Sequence, residues 1–164
     1  MGEINGEIEV AASVADVWEV YIDRARWSHW VDGFGSILSS ERYPEVGGLM
    51  VWRSTPAGRG EVSERVTAHE PRSLHRIVYT DPGSSGEVET RFEMVPAAGS
   101  ERRTKINVTH SYALEGGGLT APVVDRLFVR PQMQRSLDRT LRGLRQAVGE
   151  EPGDEDDGIQ SVDR

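Results

Sequence analysis

The residues with the widest chemical reach lie in the stretch Thr104 to Leu114, where Ile106, Val108, His110, Tyr112 and Leu114 alternate with Lys105, Asn107, Thr109 and Ser111. On a β-strand successive side chains point to opposite faces, so each set shares a face. The apolar set must be the buried one, and it carries His110 and Tyr112 inside. Burial disfavours an imidazolium, so the ring is expected to be neutral at pH 7, with one donor and one acceptor nitrogen. Such a ring can orient a phenol, a carbonyl or an acyl headgroup, can move a proton, or can serve as a core histidine bonded to a neighbouring hydroxyl. Tyr112 reads as a pocket wall with a wet hydroxyl, or as a general acid.

A carboxylate stands in a comparable setting. Between Gly60 and His69, Val62, Val66 and Ala68 form an apolar row, and Glu64 lies within it. An inward carboxylate pairs with a cation, rises in pKa, or escapes to water through a bulge. Arg76 is its partner across the hairpin if Leu74, Arg76 and Val78 face in. A slip of one residue brings in His75, Ile77 and Tyr79 instead, and the pattern leaves that register open. The next strand turns Val88, Thr90, Phe92 and Met94 inward and Glu87, Glu89, Arg91 and Glu93 outward. The inward candidates from this alternation are therefore Glu64, Arg76, Thr90, Phe92, Val108, His110 and Tyr112. His110, Tyr112, Glu64 and Arg76 are the candidates for proton transfer, without a nucleophile, base and orienter set among them.

Other chemistries are excluded or disfavoured. The 164 residues contain no cysteine, so disulfides, thiolate metal sites and a cysteine nucleophile are ruled out. His29, His69, His75 and His110 show neither helical ligand spacing nor a short metal motif, and no metal is expected. Gly116-Gly117-Gly118 is not followed by a lysine and matches no phosphate motif, so it reads as a loop, and no cofactor is expected. Seven of the acids lie in the last fifteen residues against Arg164 alone, which places -6 of the net charge of -8 there. Residues 150–164 therefore read as an acidic disordered tail, and residues 1–149 as one near-neutral domain. A near-neutral body without a basic, aromatic-rich patch argues against nucleic acid. No stretch approaches the roughly 20 apolar residues of a membrane span, and the N-terminus is acidic rather than signal-like. The expected location is the cytoplasm, bacterial by the arginine bias, since 18 of 19 basic residues are arginine.

The elements that must position these residues follow from periodicity. A first strand runs from Ile4 to Ala11. Ser13 and Asp16 form a capping box, and Val14, Val17, Trp18, Tyr21 and Ile22 follow helical spacing. A second short helix, Ala25 to Val31, carries Trp27 and Trp30. Strands follow at Ser36 to Arg42, Leu49 to Ser54, Gly60 to His69, Leu74 to Thr80, Glu87 to Val95 and Arg103 to Leu114, separated by Gly/Pro turn signals. Short connections imply an antiparallel meander. A long helix, Thr120 to Val148, closes the chain with Val123, Leu127, Leu137, Leu141, Leu144 and Val148 on one stripe by steps of three or four, apart from the gap between Leu127 and Leu137. Arg135, Arg139 and Arg142 form an outer stripe paired locally by Asp138. Arg130, Pro131 and Gln134 interrupt the apolar stripe, so the space under the helix need not be filled.

With its segments Ser13-Val-Ala-Asp-Val-Trp18, Arg26-Trp27-Ser28-His29-Trp30, Val46-Gly47-Gly48, Val66-Thr67-Ala68-His69-Glu70-Pro71 and Thr104-Lys105-Ile106-Asn107-Val108-Thr109, the chain resembles the START-like (SRPBCC) superfamily over residues 3 to 148. More narrowly it resembles the polyketide cyclase/dehydrase and lipid-transport group, with the Bet v 1-like helix-grip fold. The resemblance implies an α+β protein: a seven-stranded antiparallel sheet wrapped around the C-terminal helix, two short helices between strands 1 and 2, and a ligand cavity between sheet and helix that Trp30, Trp52 and Phe128 would line together with the inward strand residues. Three functions are consistent with it. The first is binding of a small hydrophobic or aromatic molecule, a lipid or polyketide included, by a carrier, sensor or sequestering protein. The second is a cofactor-free cyclase/dehydrase (aromatase) reaction in the same cavity. The third is a regulator that docks on a partner protein.

Overall fold

A computed structural model describes residues 1–56, 58–99, 101–116 and 124–149. Seven antiparallel strands build one sheet: β1 (Gly2–Val10), β2 (Phe34–Glu41), β3 (Leu49–Ser54), β4 (Glu61–Glu70), β5 (Leu74–Thr80), β6 (Ser84–Val95) and β7 (Arg103–Leu114). Their order is β1-β7-β6-β5-β4-β3-β2, so the chain starts at one edge, crosses to the other and meanders back. The crossing is made by α1 (Val14–Ile22), a single 3₁₀ turn and α2 (Trp27–Trp30). Ser13 starts α1 as its sequence demands. Its hydroxyl accepts from Asp16 N–H at 3.2 Å, and the Asp16 carboxylate accepts from Ser13 N–H at 3.3 Å.

Helix α3 (Arg130–Gly149) closes the fold, entered through a π-helical turn at Asp125–Val129. Leu141, Leu144, Ala147 and Val148 are its buried residues. Two glycines allow it to approach closely. A β-carbon at Gly6 of β1 would lie 2.7 Å from Leu141 Cδ1, and one at Gly143 would lie 2.7 Å from the carbonyl oxygen of Trp30. Polar ties complete the seam: Asp32 accepts from Arg139 Nε at 2.9 Å and from the Ser136 hydroxyl at 2.6 Å, and its own N–H donates to Thr140 Oγ1 at 3.0 Å. Arg139 thus bonds to the segment after α2, where local pairing with Asp138 was expected. The reason is reach, since Asp32 stands beside the helix face that carries Ser136, Arg139 and Thr140.

The architecture is the α+β helix-grip that the resemblance implies. Irregularities between Phe34 and Ser36, Ile37 and Ser39, and Val66 and Ala68 bend the sheet. Within the described residues the apolar stripe ends earlier than its spacing suggested. Leu127 is 61% and Phe128 68% exposed in the π-helical turn; they stand ten and nine residues before Leu137, spacings that do not share a face at 3.6 residues per turn. Thr120 and Val123, Gly117 and Gly118, and the acidic segment 150–164 lie outside the described residues.

Candidate functional site

Register across the sheet decides which chemical groups meet. One row on the inner face runs Met50, Glu64, Tyr79, Gly86, Tyr112 and Gly2 over β3, β4, β5, β6, β7 and β1. The next runs Val66, Ile77, Val88, His110 and Ile4. Gly2 is required by its neighbour, since the ring of Tyr112 occupies the place of a β-carbon there.

Glu64 faces inward and is 9% exposed. It does not escape through a bulge, because the bulge comes later, at Val66/Ala68. Nor is Arg76 its partner. The register brings His75, Ile77 and Tyr79 inside and puts Arg76 on the outer face, where its Nε donates to Glu89 Oε2 at 2.7 Å. Glu64 Oε1 instead accepts from Trp52 Nε1 at 2.7 Å. Burial pushes the Glu64 carboxyl up to about 7, against the Trp52 bond and the field of Arg59. It is the buried group poised to gain or lose a proton near neutral pH.

His110 bonds to Tyr79, with Nε2 and Oη 2.8 Å apart and the rings edge to face. Burial pulls the imidazole down to about 4, so it is neutral at pH 7. One of the pair donates and the other accepts. Behind Tyr79 lies a scaffold: its ring carries the Arg59 guanidinium at 4.3 Å, and Arg59 Nε donates to Asp81 Oδ2 at 2.6 Å. Asp81 also accepts from the N–H groups of Gly83 and Ser84 and from the Ser84 hydroxyl. Burial works against the Asp81 anion, but Arg59 and these donors hold its carboxyl below the usual range.

The remaining candidates divide by position. Thr90 accepts from the Tyr21 hydroxyl at 3.2 Å, and Phe92 meets both Tyr21 and Trp18 edge to face. Val108 is buried on the same face. Trp52 lies against Phe34 with ring centres 5.4 Å apart, and Trp30 packs against Tyr21 and Trp27. Tyr112 has a fixed rather than a free hydroxyl, which donates to Asp125 at 2.6 Å. Phe128 and Met94, the latter 79% exposed, lie apart from the inner cluster. Met94 stands near the end of β6, beyond the last ring of the core, Phe92.

Three groups were not singled out from sequence. Tyr79 follows from the register that the pattern left open. Tyr43, in the loop between β2 and β3, bonds to His75, with Oη and Nε2 2.9 Å apart. His75 Nδ1 in turn lies 3.3 Å from His69 Nδ1, and burial, then His69, pulls His75 down to about 4. The bulge is what turns His69 inward toward His75. Among the described residues no group of three or more His, Cys, Asp or Glu could hold a metal ion. No helix among them is long and apolar enough to cross a membrane.

A family model described as "Polyketide cyclase / dehydrase and lipid transport" matches residues 1–149. No curated protein matches the chain in sequence. Among solved structures, the fold is similar to that of the Zhui aromatase/cyclase from Streptomyces sp. R1128, at 19% identity and TM-score 0.68, covering 90% of this chain and 93% of that one. It is also similar to truncated norcoclaurine synthase from Thalictrum flavum, at 18% identity and TM-score 0.64, covering 92% and 95%. A third similar structure is the Aha1 dimer from Colwellia psychrerythraea, at 16% identity and TM-score 0.65, covering 93% and 100%. At these identities the likeness is one of fold.

Proposed function

The chain belongs to the polyketide cyclase/dehydrase and lipid-transport family, and from that premise we propose that it binds a small hydrophobic or aromatic molecule between the inner face of its sheet and its helices, as a carrier or sensor. The observation that carries this reading is the composition of the inner face. Glu64, Thr90 and His110 are buried there among Trp18, Trp52, Tyr79, Phe92 and Val108. A few polar groups converging on an aromatic wall are what a small-molecule site needs: apolar area for affinity, and donors and acceptors for orientation.

The test is titration with N-phenylnaphthylamine, an apolar fluorophore, with saturable binding expected in the micromolar range. His110→Gln keeps a donor and an acceptor, so in a binding protein it should weaken affinity by about 0.5 to 1.5 kcal/mol. No saturable binding by this probe or by flat aromatic and acyl competitors would leave the partner-docking reading.

A second reading, a cofactor-free cyclase/dehydrase, is favoured by Glu64, which exchanges its proton near pH 7 on the same face as the His110–Tyr79 pair. In that case Glu64 would be the proton carrier, because the neutral His110 is better suited to hold a carbonyl or phenol. Glu64→Gln would then reduce turnover of an accepted substrate by roughly 10² to 10⁴ while binding persisted.

A further inference from the structure

Glu64 lacks something that every described carboxylate of a strand ion pair has. Glu89 is met by Arg76 and Arg91, Glu7 by Lys105, Glu9 by Arg103 and Glu61 by Arg53. Glu64 Oε1 takes the Trp52 N–H, and Oε2 has no side-chain partner among the described residues; it is not one of the fully enclosed unpartnered atoms, so in this largely buried residue it keeps some open surface. Arg59, the cation whose field reaches Glu64, spends its Nε and Nη2 on Asp81 Oδ2 at 2.6 and 2.5 Å. The other ionisable groups facing it are phenols. Tyr21 of α1 and Tyr43 of the β2–β3 loop are held neutral by burial, and Tyr79, opposite on β5, shares a hydrogen bond with His110. Its neighbours on β3 are Met50, directly opposite, and Trp52, whose ring lies against Phe34.

An ionised carboxylate in an aromatic interior is costly unless a cation comes to it, and a protonated one is its substitute while none is there. We propose that Glu64 is the recognition point for a cationic headgroup, and that the molecule bound inside is an apolar or aromatic amine held as its ammonium form. This inference rests on the small-molecule reading above and narrows its ligand class. The ammonium would donate to Oε2, the acceptor the fold leaves unused, while Trp52 keeps Oε1 in place.

Naphthylethylamine and its uncharged counterpart naphthylethanol, titrated calorimetrically at about pH 6 and about pH 8, test the assignment. Glu64 must be ionised to hold the ammonium, so the affinity of the amine should rise about tenfold over that interval, while that of the alcohol changes by no more than about twofold. At about pH 7 the amine should release about half a proton on binding, read in wild-type protein from buffers of different ionisation enthalpy. Glu64→Gln should bind the amine about tenfold more weakly at about pH 8 and naphthylethanol as before. An alcohol that binds as well as the amine at about pH 8, amine binding without proton release, or an unchanged amine affinity in Glu64→Gln overturns the amine assignment and leaves the small-molecule reading standing. Failure of both molecules to bind overturns both.

Discussion

The two faces of the sheet use similar residues to opposite ends. On the outer face Arg76, Glu87, Glu89 and Arg91 form a chain of ion pairs, the Arg76 bond holds the Glu89 carboxyl below its usual range, and water screens the whole array. On the inner face Glu64, His75 and His110 are paired only with neutral hydrogen-bonding groups, and burial moves each toward its uncharged form. The difference is dielectric. Charges that water can reach are cheap, nearly interchangeable and uninformative, whereas a polar group carried into the interior costs stability and so marks where chemistry can be done.

The largest expected contrast is in packing. Ile106 is 0% exposed on β7, and Ile106→Ala should cost about 2 to 5 kcal/mol of unfolding free energy by denaturant titration, more than any single outer-face truncation. An Ile106→Ala cost no larger than that of Arg76→Ala would break the comparison.

The next contrast is in pH dependence. His75 and His110 are depressed from the usual 6.5 to about 4, so their contribution to stability is present above pH 6.5 and is lost as the pH falls through 4. Glu64 is raised from 4.5 to about 7, so its contribution is present below pH 4.5 and is lost as the pH rises through 7. Two imidazoles outweigh one carboxyl between these limits, and stability should fall on acidification from about pH 6.5 to about pH 4. Glu64→Gln, which retains an acceptor for Trp52, should stabilise the protein by about 2 kcal/mol at pH 8 and have little effect at pH 4, as read by thermal melts. Equal effects at both values would mean that Glu64 is not titrating inside.

The smallest effect belongs to the outer face. Arg76→Ala should cost under about 1 kcal/mol, and the difference from wild type should shrink in 1 M NaCl. A larger, salt-insensitive loss would show that Arg76 is bound to more than its two surface glutamates.

How far the sequence can be read differs between the two hairpins for the same reason. In β6 and β7 the alternation of apolar and polar residues is strict from Val88 to Phe92 and from Ile106 to Tyr112, and the inward set could be assigned from period alone. In β4 and β5 the run Leu74-His75-Arg76-Ile77-Val78-Tyr79 fits either phase. The choice is made by pairing between strands, Glu64 opposite Tyr79 and Val66 opposite Ile77, which neither strand encodes separately; the bulge at Val66/Ala68 then changes the phase of β4, setting Ala68 opposite the outward Arg76 and His69 opposite His75. Of the two phases the pattern leaves open, the structure takes the one that brings in His75 and Tyr79 and puts Arg76 outside, while Tyr43 and the His69–His75 contact have no signal in one dimension. Phe128 differs from the lining expectation as well, standing 68% exposed in the π-helical turn that precedes α3.

Period, turn residues and capping chemistry are local, and they determined the seven strands, the helix order and the inward placement of His110 and Tyr112. The partners of the buried groups were decided only in three dimensions. Glu64 found Trp52, His110 found Tyr79, and Tyr112 found Asp125, because strand register and helix docking bring together residues between 12 and 31 positions apart. A hydrogen bond is satisfied by distance and direction, and a sequence specifies neither until the sheet has curved and the helix has closed on it.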